Sequence, residues 1–258
     1  MAYLEGKSVV ITGASSGIGE YLARELVRRG ARVGLLARRE DKLQDLADEL
    51  GGEASGKVAW QVGDVSDVEQ LNRSLDALEE SLGGVDMVIA NAGYGHPELP
   101  HRFKPGAAER MYDVNLMGML RTFDWALPRF IERRAGHLVG VASVASFAGM
   151  PNSSSYCGSK AAMRVHLQGL RVSLARYGIA VTTICPGFVK SELTDKAKYK
   201  MPFLWETDRA ARKIADALER RRGELVFPWQ MWLLVLLSTR WMPRFLLERM
   251  MTSTKPPR

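Results

Sequence analysis

The sequence predicts an α/β protein with a doubly wound parallel sheet, and three observations carry this prediction. Short runs rich in β-branched residues alternate with longer segments in which apolar residues recur every three or four positions. A glycine-rich turn separates the first such run from the first helical segment, and the alternation continues to about residue 185. Because crossovers between parallel strands are right-handed, this order winds into a Rossmann-like sheet of about seven strands with helices on both faces.

Each element of the first half has its own sequence signal. Residues Ser8 to Thr12 form an unbroken β-branched run, which is typical of a strand covered on both faces. The helical segment that follows ends at Gly30, a residue suited to a left-handed C-cap. The same signals repeat and predict strands over 32–37, 58–62 and 85–90, and helices over 18–29, 41–50 and 68–82.

The second half continues the alternation and then loosens. The periodicity predicts a long helix over 107–132, a strand over 137–142, a helix over 156–177 and a strand over 180–185. Residues Gly187 to Trp205 lack regular periodicity and are expected to form a lid-like loop. Thr207 is expected to cap a helix that runs to about Arg221, and a short strand is predicted over 224–227.

These elements divide the chain into a Rossmann-fold domain and an extension. Residues 1–227 contain all the predicted strands and are assigned to the domain. Residues 228–258 form an apolar and basic C-terminal helical extension. The extension is either part of the same domain or an anchor on a membrane surface.

Composition and charge exclude several classes of protein. The chain has 258 residues, of which 46% are hydrophobic and 25% charged, as in ordinary globular proteins. Its net charge of +7 favours an anionic ligand, but the chain has no nucleic-acid-binding motif, so we expect no nucleic-acid partner. Cys157 and Cys185 cannot form a disulfide framework, and the four histidines lack ligand spacing, so we expect no metal. The N-terminus has no secretion signal, so we expect a cytoplasmic protein.

The turn after the first strand has the pattern of a dinucleotide-binding loop. Gly13 permits a tight turn, Gly17 lets the backbone approach a pyrophosphate, and Gly19 allows the helix to pack closely on the strand. The helix N-terminus presents free N–H groups to the phosphates. An ordinary glycine-rich turn is the alternative. The predicted cofactor contacts in this loop are Gly13, Ser15, Ser16, Gly17, Ile18 and Gly19.

The end of the second strand favours NADP(H) over NAD(H). An NAD-selective site has an acidic residue about 20 positions after the glycines, where this chain has Arg38 and Arg39. A guanidinium there would bind the 2′-phosphate of NADP(H), and Arg38 is the first candidate. The alternative for Arg38 is a solvated residue at the start of a helix. The ends of the next two strands add the predicted cofactor contacts Asp64, Val65, Asn91, Ala92 and Gly93.

A tyrosine and a lysine are the candidate acid–base pair. Tyr156 and Lys160 are four residues apart, so on a helix they lie on one face. The pKa of a free phenol is about 10, and a nearby ammonium lowers it by stabilising the phenolate. Ser143 follows a predicted strand and can reach the same sheet edge. Asn115 lies within a predicted helix, where binding of a water molecule would explain an inward amide.

These motifs occur in the order typical of the short-chain dehydrogenase/reductase family, which the chain resembles from about Lys7 to Phe227. The resemblance implies that Tyr156 donates or accepts a proton and that Ser143 orients the carbonyl oxygen. It implies that Lys160 binds the nicotinamide ribose and that Asn115 holds a relay water. It also implies a homodimer or homotetramer. The implied catalytic residues are Asn115, Ser143, Tyr156 and Lys160, and the implied cofactor contacts include Tyr156, Lys160, Pro186, Gly187 and Val189.

The resulting prediction is an NADP(H)-dependent oxidoreductase that interconverts a ketone or aldehyde and an alcohol. Two alternatives stay open. One is a regulatory or scaffold protein that binds NADPH without turnover, and the other is an epimerase or dehydratase on the same scaffold. NADPH oxidation in the presence of carbonyl compounds distinguishes all three.

The C-terminal segment is apolar and basic. Residues 227–237 are too few for the roughly 20 that a spanning helix needs. Tryptophans beside Arg240 and Arg244 suit a membrane interface, so contact with the inner face of a membrane through residues 228–251 is one alternative. Packing on the substrate pocket or on a sister subunit is the other. Both favour an apolar carbonyl or alcohol substrate of steroid, acyl or sphingoid type. The tryptophans are Trp229, Trp232 and Trp241.

Overall fold

The computed structural model describes residues 2–51, 58–195 and 201–240. Residues 196–200 of the predicted lid-like loop and the predicted extension beyond residue 240 lie outside the described residues. Seven parallel strands form one sheet in the order β3-β2-β1-β4-β5-β6-β7. The strands are β1 Ser8–Thr12, β2 Arg32–Ala37, β3 Val58–Val62, β4 Met87–Ala90, β5 Gly136–Val141, β6 Ile179–Pro186 and β7 Glu224–Phe227.

Helices cover both faces of the sheet, which confirms the predicted doubly wound Rossmann-like fold. Helices α1, α2 and α8 contribute to the core on one face, and α3, α5 and α6 to the core on the other. The helices are α1 Gly17–Arg28, α2 Glu40–Gly51, α3 Val68–Leu82, α4 Pro105–Tyr112, α5 Gly118–Glu132, α6 Ser154–Leu174, the short α7 Glu192–Asp195, α8 Thr207–Glu219 and α9 Trp229–Arg240.

The two cores explain why the central strands are unbroken apolar runs. Successive side chains of a strand point to opposite faces of the sheet. Val9 and Ile11 of β1 belong to the core on the α1 face, whereas Val10 belongs to the core on the α3 face. All three side chains are fully buried, so the centre of β1 is apolar on both faces.

The helix predicted over 107–132 is confirmed, but it contains a π-helical turn that was not predicted. Residues Asp113–Met117 form a π-helical turn between α4 and α5. A π turn holds one more residue than an α-helical turn, so it rotates the side chains that follow it. Gly118 comes directly after this turn and packs on Val65, since a Cβ at Gly118 would lie 2.6 Å from Val65 Cγ2.

The prediction of Thr207 as the N-cap of α8 is wrong. Glu206 occupies the N-cap position, and Thr207 is the first helical residue. The Thr207 side chain is buried, and its hydroxyl donates a hydrogen bond to the carbonyl of Lys190. Thr207 therefore fixes the segment after β6 to the start of α8.

Among the described residues, no helix is long and apolar enough to cross a membrane.

Candidate active site

The candidate site lies at the edge of the sheet where the parallel strands end. In the register of β1 on β4, Thr12 pairs with Ala90, so the residues that follow these two strands are neighbours. The chain leaves β1 toward β2 on one side and leaves β4 toward β5 on the other. Ligands of open α/β sheets bind outside the strand ends at such a switch point.

The glycine turn after β1 fits a dinucleotide. Gly13 and Gly17 have φ angles of +69° and +58°, which a side chain would strain. A Cβ at Gly19 would lie 2.4 Å from the carbonyl oxygen of Gly13, so only glycine lets α1 approach the turn this closely. Ser16, at the N-cap of α1, makes no capping hydrogen bond through its side chain. The first-turn N–H groups of α1 are therefore oriented for a phosphate.

Asn91 braces the glycine turn from β4. Its Nδ2 donates to the carbonyl oxygens of Thr12 and Gly13, at 3.1 and 3.0 Å. The Thr12 hydroxyl accepts from the N–H groups of Asn91 and Ala92, both at 3.2 Å. The Asn91 side chain therefore faces the glycine turn, and the backbone of Ala92 and Gly93 continues along the edge of the sheet. A Cβ at Gly93 would lie 3.6 Å from Lys160 Nζ, which connects this rim with α6.

The two arginines after β2 have different partners. Arg38 is 58% exposed, and its guanidinium lies 3.6 Å from a carboxylate oxygen of Asp64. Arg39 turns toward the glycine turn, where its Nε and one terminal nitrogen donate to the Ser15 hydroxyl at 3.2 and 3.1 Å. Val65 is buried, and its carbonyl accepts a hydrogen bond from Arg121. The sequence predicts a cofactor contact at this strand end, and the structure shows that Arg38 lies beside Asp64 whereas Arg39 lies beside Ser15.

Lys160 is the buried cation of the site. It is 4% exposed, and its Nζ donates to the carbonyl of Val141, at the end of β5, at 2.8 Å. The same Nζ lies 6.0 Å from the centre of the Tyr156 ring, so the two residues share one face of α6 as predicted. Burial lowers the pKa of Lys160 to about 8.

Ser143 joins the ends of β5 and β6. Its hydroxyl accepts a hydrogen bond from the N–H of Ala145 at 3.1 Å and donates to the carbonyl of Pro186 at 3.4 Å. The residue is 9% exposed and lies two positions after the end of β5. The structure thus brings Ser143, Lys160 and the half-buried Tyr156 to the same edge of the sheet.

Asn115 is held by protein groups. Its Oδ1 accepts from the backbone N–H of Tyr94 at 2.7 Å, and its Nδ2 donates to the Tyr94 carbonyl and to the Ser159 hydroxyl, both at 3.0 Å. The side chain is fully buried in the π-helical turn. These partners account for the inward amide, and the water implied at Asn115 stays a prediction. Asn115 therefore ties the loop after β4 to α6.

The backbone after β6 is fixed at its start. The Gly187 N–H donates to the carbonyl of Phe227 at 2.6 Å, and a Cβ at Gly187 would lie 2.7 Å from Met231 Sδ. Val189 is buried and forms an isolated parallel bridge with Trp205. The predicted contacts Pro186, Gly187 and Val189 are therefore held against β7, α9 and Trp205.

Comparison with known proteins decides the family. The sequence model described as short chain dehydrogenase matches residues 7–202, which is most of the chain. The chain belongs to the short-chain dehydrogenase family. This dehydrogenase is 40% identical to an uncharacterized oxidoreductase of Myxococcus xanthus over 232 residues, 90% of this chain and 91% of the relative.

Solved structures resemble this short-chain dehydrogenase in fold. An alcohol dehydrogenase from Thermococcus sibiricus, complexed with 5-hydroxy-NADP, superposes with a TM-score of 0.78 at 29% identity and covers 86% of this chain and 96% of its own. A 3-ketoacyl-(acyl-carrier-protein) reductase from Brucella melitensis, complexed with NADH, has a TM-score of 0.80 at 25% identity and covers 87% and 97%. This dehydrogenase is therefore an oxidoreductase of the short-chain type.

One residue near the site of this dehydrogenase was not predicted. The carboxylate of Glu98, in the loop after β4, accepts hydrogen bonds from the backbone N–H and the hydroxyl of Ser155, at 2.6 and 2.5 Å. Ser155 precedes Tyr156 in the first turn of α6. A carboxylate at a helix N-terminus also interacts favourably with the helix dipole. No local pattern marks Glu98, because its partner is 57 positions away.

Proposed function

We propose that this dehydrogenase interconverts a ketone or aldehyde and an alcohol, with NADP(H) as cofactor and an apolar substrate. The observation that carries the proposal is the placement of the Lys160 ammonium 6.0 Å from the Tyr156 ring, at the sheet edge that also holds Ser143. A protein that only binds a cofactor has no use for a phenol that a neighbouring ammonium activates for proton transfer.

Each residue of this group has a role in the reaction. A nicotinamide cofactor at the glycine turn supplies or accepts the hydride. In the direction of reduction, the Tyr156 phenol donates a proton to the substrate oxygen, and the Lys160 ammonium stabilises the phenolate that remains. The Ser143 hydroxyl orients the carbonyl oxygen. One hydride and one proton are added to the carbonyl, and the reverse reaction removes both.

The preference for NADP(H) is supported by the residues after β2. Arg38 and Arg39 stand where an NAD-selective site has a carboxylate. Guanidinium groups bind phosphate through charge-assisted hydrogen bonds. The solved relatives include proteins complexed with an NADP derivative and with NADH, so the two arginines carry this part of the proposal.

An apolar substrate is supported by the side chains between β6 and α8. Phe203 and Leu204 are 45% and 44% exposed. Next to them, the Trp205 ring lies 5.1 Å from the ring of Phe227, the residue that accepts the hydrogen bond of Gly187. Exposed apolar side chains next to a site favour a ligand that covers them. A steroid, a long acyl chain or a sphingoid-like ketone has the required character.

A carbonyl panel tests the proposed function. We expect the purified protein to oxidise NADPH faster than NADH with apolar ketones or aldehydes, and to act slowly on hydrophilic ones. Tyr156→Phe should still bind NADPH but lose turnover, whereas Tyr21→Phe, at an exposed position on α1, should keep turnover. NADPH binding without oxidation across the whole panel would refute the proposal and favour a regulatory protein.

We also propose that α9 contacts a membrane surface. Trp229, Leu234 and Leu237 are 65%, 55% and 47% exposed, and the sequence has no acidic residue between Glu224 and Glu248. An apolar helix in a basic segment suits an anionic lipid surface. Full-length protein should float with anionic liposomes, Trp229→Glu should reduce flotation, and Val68→Glu should not. Flotation that is insensitive to Trp229→Glu would contradict this proposal.

We propose a homodimer or homotetramer through α6. Val165 and Val172 are 63% and 77% exposed on this helix and are seven positions apart, so they lie on one face. A single-copy mass from light scattering would exclude this assembly. If the assembly forms, Val172→Glu should dissociate it.

A further inference from the structure

We propose that the Glu192 carboxylate competes with the 2′-phosphate of NADP(H) for the guanidinium of Arg39, and so determines how strongly the site discriminates between the two cofactors. The inference rests on the proposed NADP(H) preference and deepens it. It concerns Arg39 rather than Arg38, and it assigns a role to a residue of the segment after β6.

The guanidinium of Arg39 has two separate partners. One terminal nitrogen donates to both oxygens of the Glu192 carboxylate, each at 2.9 Å. The Nε donates to the Ser15 hydroxyl at 3.2 Å. The other terminal nitrogen donates to the same hydroxyl at 3.1 Å and to the Ser15 carbonyl at 3.2 Å. Arg39 therefore bridges the glycine turn and α7, across 153 positions of the sequence.

The bridge lies where the adenosine end of the cofactor is expected. Arg39 follows β2, and the glycine turn is bonded to that strand because the N–H groups of Gly13 and Ala14 both donate to the carbonyl of Leu36. The acid or base that selects the cofactor stands at the end of this strand. On the other side of the bridge, Ser191 lies against the turn, since a Cβ at Gly17 would be 3.2 Å from Ser191 Cβ.

The ion pair is weak enough for a phosphate to replace it. The side chains of Arg39 and Glu192 are 40% and 61% exposed, and exposed ion pairs contribute little in water. A phosphate monoester carries up to twice the charge of a carboxylate and has three acceptor oxygens. The 2′-phosphate of NADP(H) can therefore replace the Glu192 carboxylate as the partner of the Arg39 guanidinium. NAD(H) has no such phosphate and leaves the pair intact.

Arg38 is the less constrained of the two arginines. Its contact with Asp64 is longer, at 3.6 Å, and the Arg38 side chain is more exposed than that of Arg39. The Ser15 contacts orient the guanidinium of Arg39, so less rotational freedom is lost when it binds an anion. Arg39 is thus the better ordered phosphate receptor, and Glu192 is the group that reduces its availability.

Binding of two adenosine nucleotides to the full-length protein tests this inference. The probes are 2′,5′-ADP and 5′-AMP, which differ only in the 2′-phosphate, and calorimetry measures their affinities. We expect Glu192→Gln to bind 2′,5′-ADP about two- to fivefold more tightly and 5′-AMP unchanged. Arg39→Gln should weaken 2′,5′-ADP about tenfold. Adding Glu192→Gln to Arg39→Gln should then have no further effect.

The matched control is Glu206→Gln. Glu206 is an exposed carboxylate before α8 that pairs with Lys190 instead, so its removal should leave both affinities unchanged. The inference is overturned if Glu192→Gln changes neither affinity, changes both equally, or still acts in the Arg39→Gln background. If the native protein binds both probes equally, the NADP(H) preference and this inference both fail. If it prefers 2′,5′-ADP but ignores Glu192→Gln, only the inference fails.

Discussion

Lys160 donates a hydrogen bond from its buried ammonium to the carbonyl of Val141 at 2.8 Å. Val141 ends β5, so the cation is attached to the sheet at the strand that leads to Ser143. Burying this cation is costly, because a carbonyl replaces only part of its hydration. The proposed chemistry accounts for a charge that the folding of the protein alone would not favour.

Replacement of Lys160 by methionine should therefore stabilise the protein while abolishing turnover. Burial lowers the pKa of Lys160 from 10.5 to about 8, so between these values the unfolded chain binds more protons than the folded protein. Native stability thus rises with pH in this window and carries the full cost of the charge below it. Urea unfolding at neutral pH should show that Lys160→Met gains about 1 to 3 kcal/mol.

The control for this variant is Lys190→Met, which removes a lysine whose side chain is 59% exposed. Its free energy of unfolding should change by less than about 0.5 kcal/mol. A Lys160→Met protein that is less stable than the native one would show that the lost hydrogen bond to Val141 outweighs the cost of burying the ammonium.

Gly19→Ala should damage both the fold and cofactor binding. The new Cβ would lie 2.4 Å from the Gly13 carbonyl oxygen and 2.6 Å from Asn91 Nδ2, so the turn or α1 must move. We expect a loss of about 1 to 3 kcal/mol in unfolding free energy and weaker NADPH binding by calorimetry. Gly106→Ala is the matched control, because a Cβ there would meet nothing within 4 Å in the described residues. Equal effects of the two substitutions would contradict the close packing of the turn.

Glu98→Gln should loosen the first turn of α6. The variant keeps an acceptor but loses the charge that strengthens both hydrogen bonds to Ser155. We expect unfolding free energy to fall by about 1 to 2 kcal/mol and the kcat for the carbonyl substrate to fall with KM for NADPH unchanged. Glu109→Gln, at an exposed position on α4, is the control. Unchanged stability would mean that the Glu98 contacts do not hold α6.

His137 should make stability fall as the pH is lowered. It is fully buried in β5, and burial, with a smaller effect from Arg221, lowers its pKa from 6.5 to about 3. The folded protein keeps the ring neutral while the unfolded chain protonates it, so stability is lost as pH falls below 6.5 toward 3. From about pH 7.5 to about pH 5.5, native protein should lose roughly 1 kcal/mol more than His137→Gln. His166→Gln, at an exposed position, should behave like the native protein.

The sheet was predictable because each central strand is buried on both faces. The predicted and observed bounds of β1 and β2 agree, since their apolar runs end where the chain leaves the core. The bounds of β3 agree as well, although this edge strand is only half-buried. The π-helical turn around Asn115 was not predicted. Apolar residues continue through α4 and α5, and one extra residue within a turn leaves no local pattern.

Long-range contacts account for what the sequence could not show about the site. Tyr156 and Lys160 were predictable because helical spacing alone brings them together. The pairs Arg39 with Glu192 and Glu98 with Ser155 depend on how distant loops meet, which spacing does not encode. Thr207 has the residue type of an N-cap, but the neighbouring Lys190 carbonyl takes its hydroxyl instead.

The tight packing at Gly187 links two regions that would otherwise change independently. Met231 of α9 lies against Gly187, and the residue before it, Pro186, accepts the hydrogen bond of Ser143. A substitution that moves Met231 can thus reach Ser143, the serine that we propose orients the substrate, through Gly187 and Pro186. We therefore expect the attachment properties and the catalytic efficiency of this protein to evolve together.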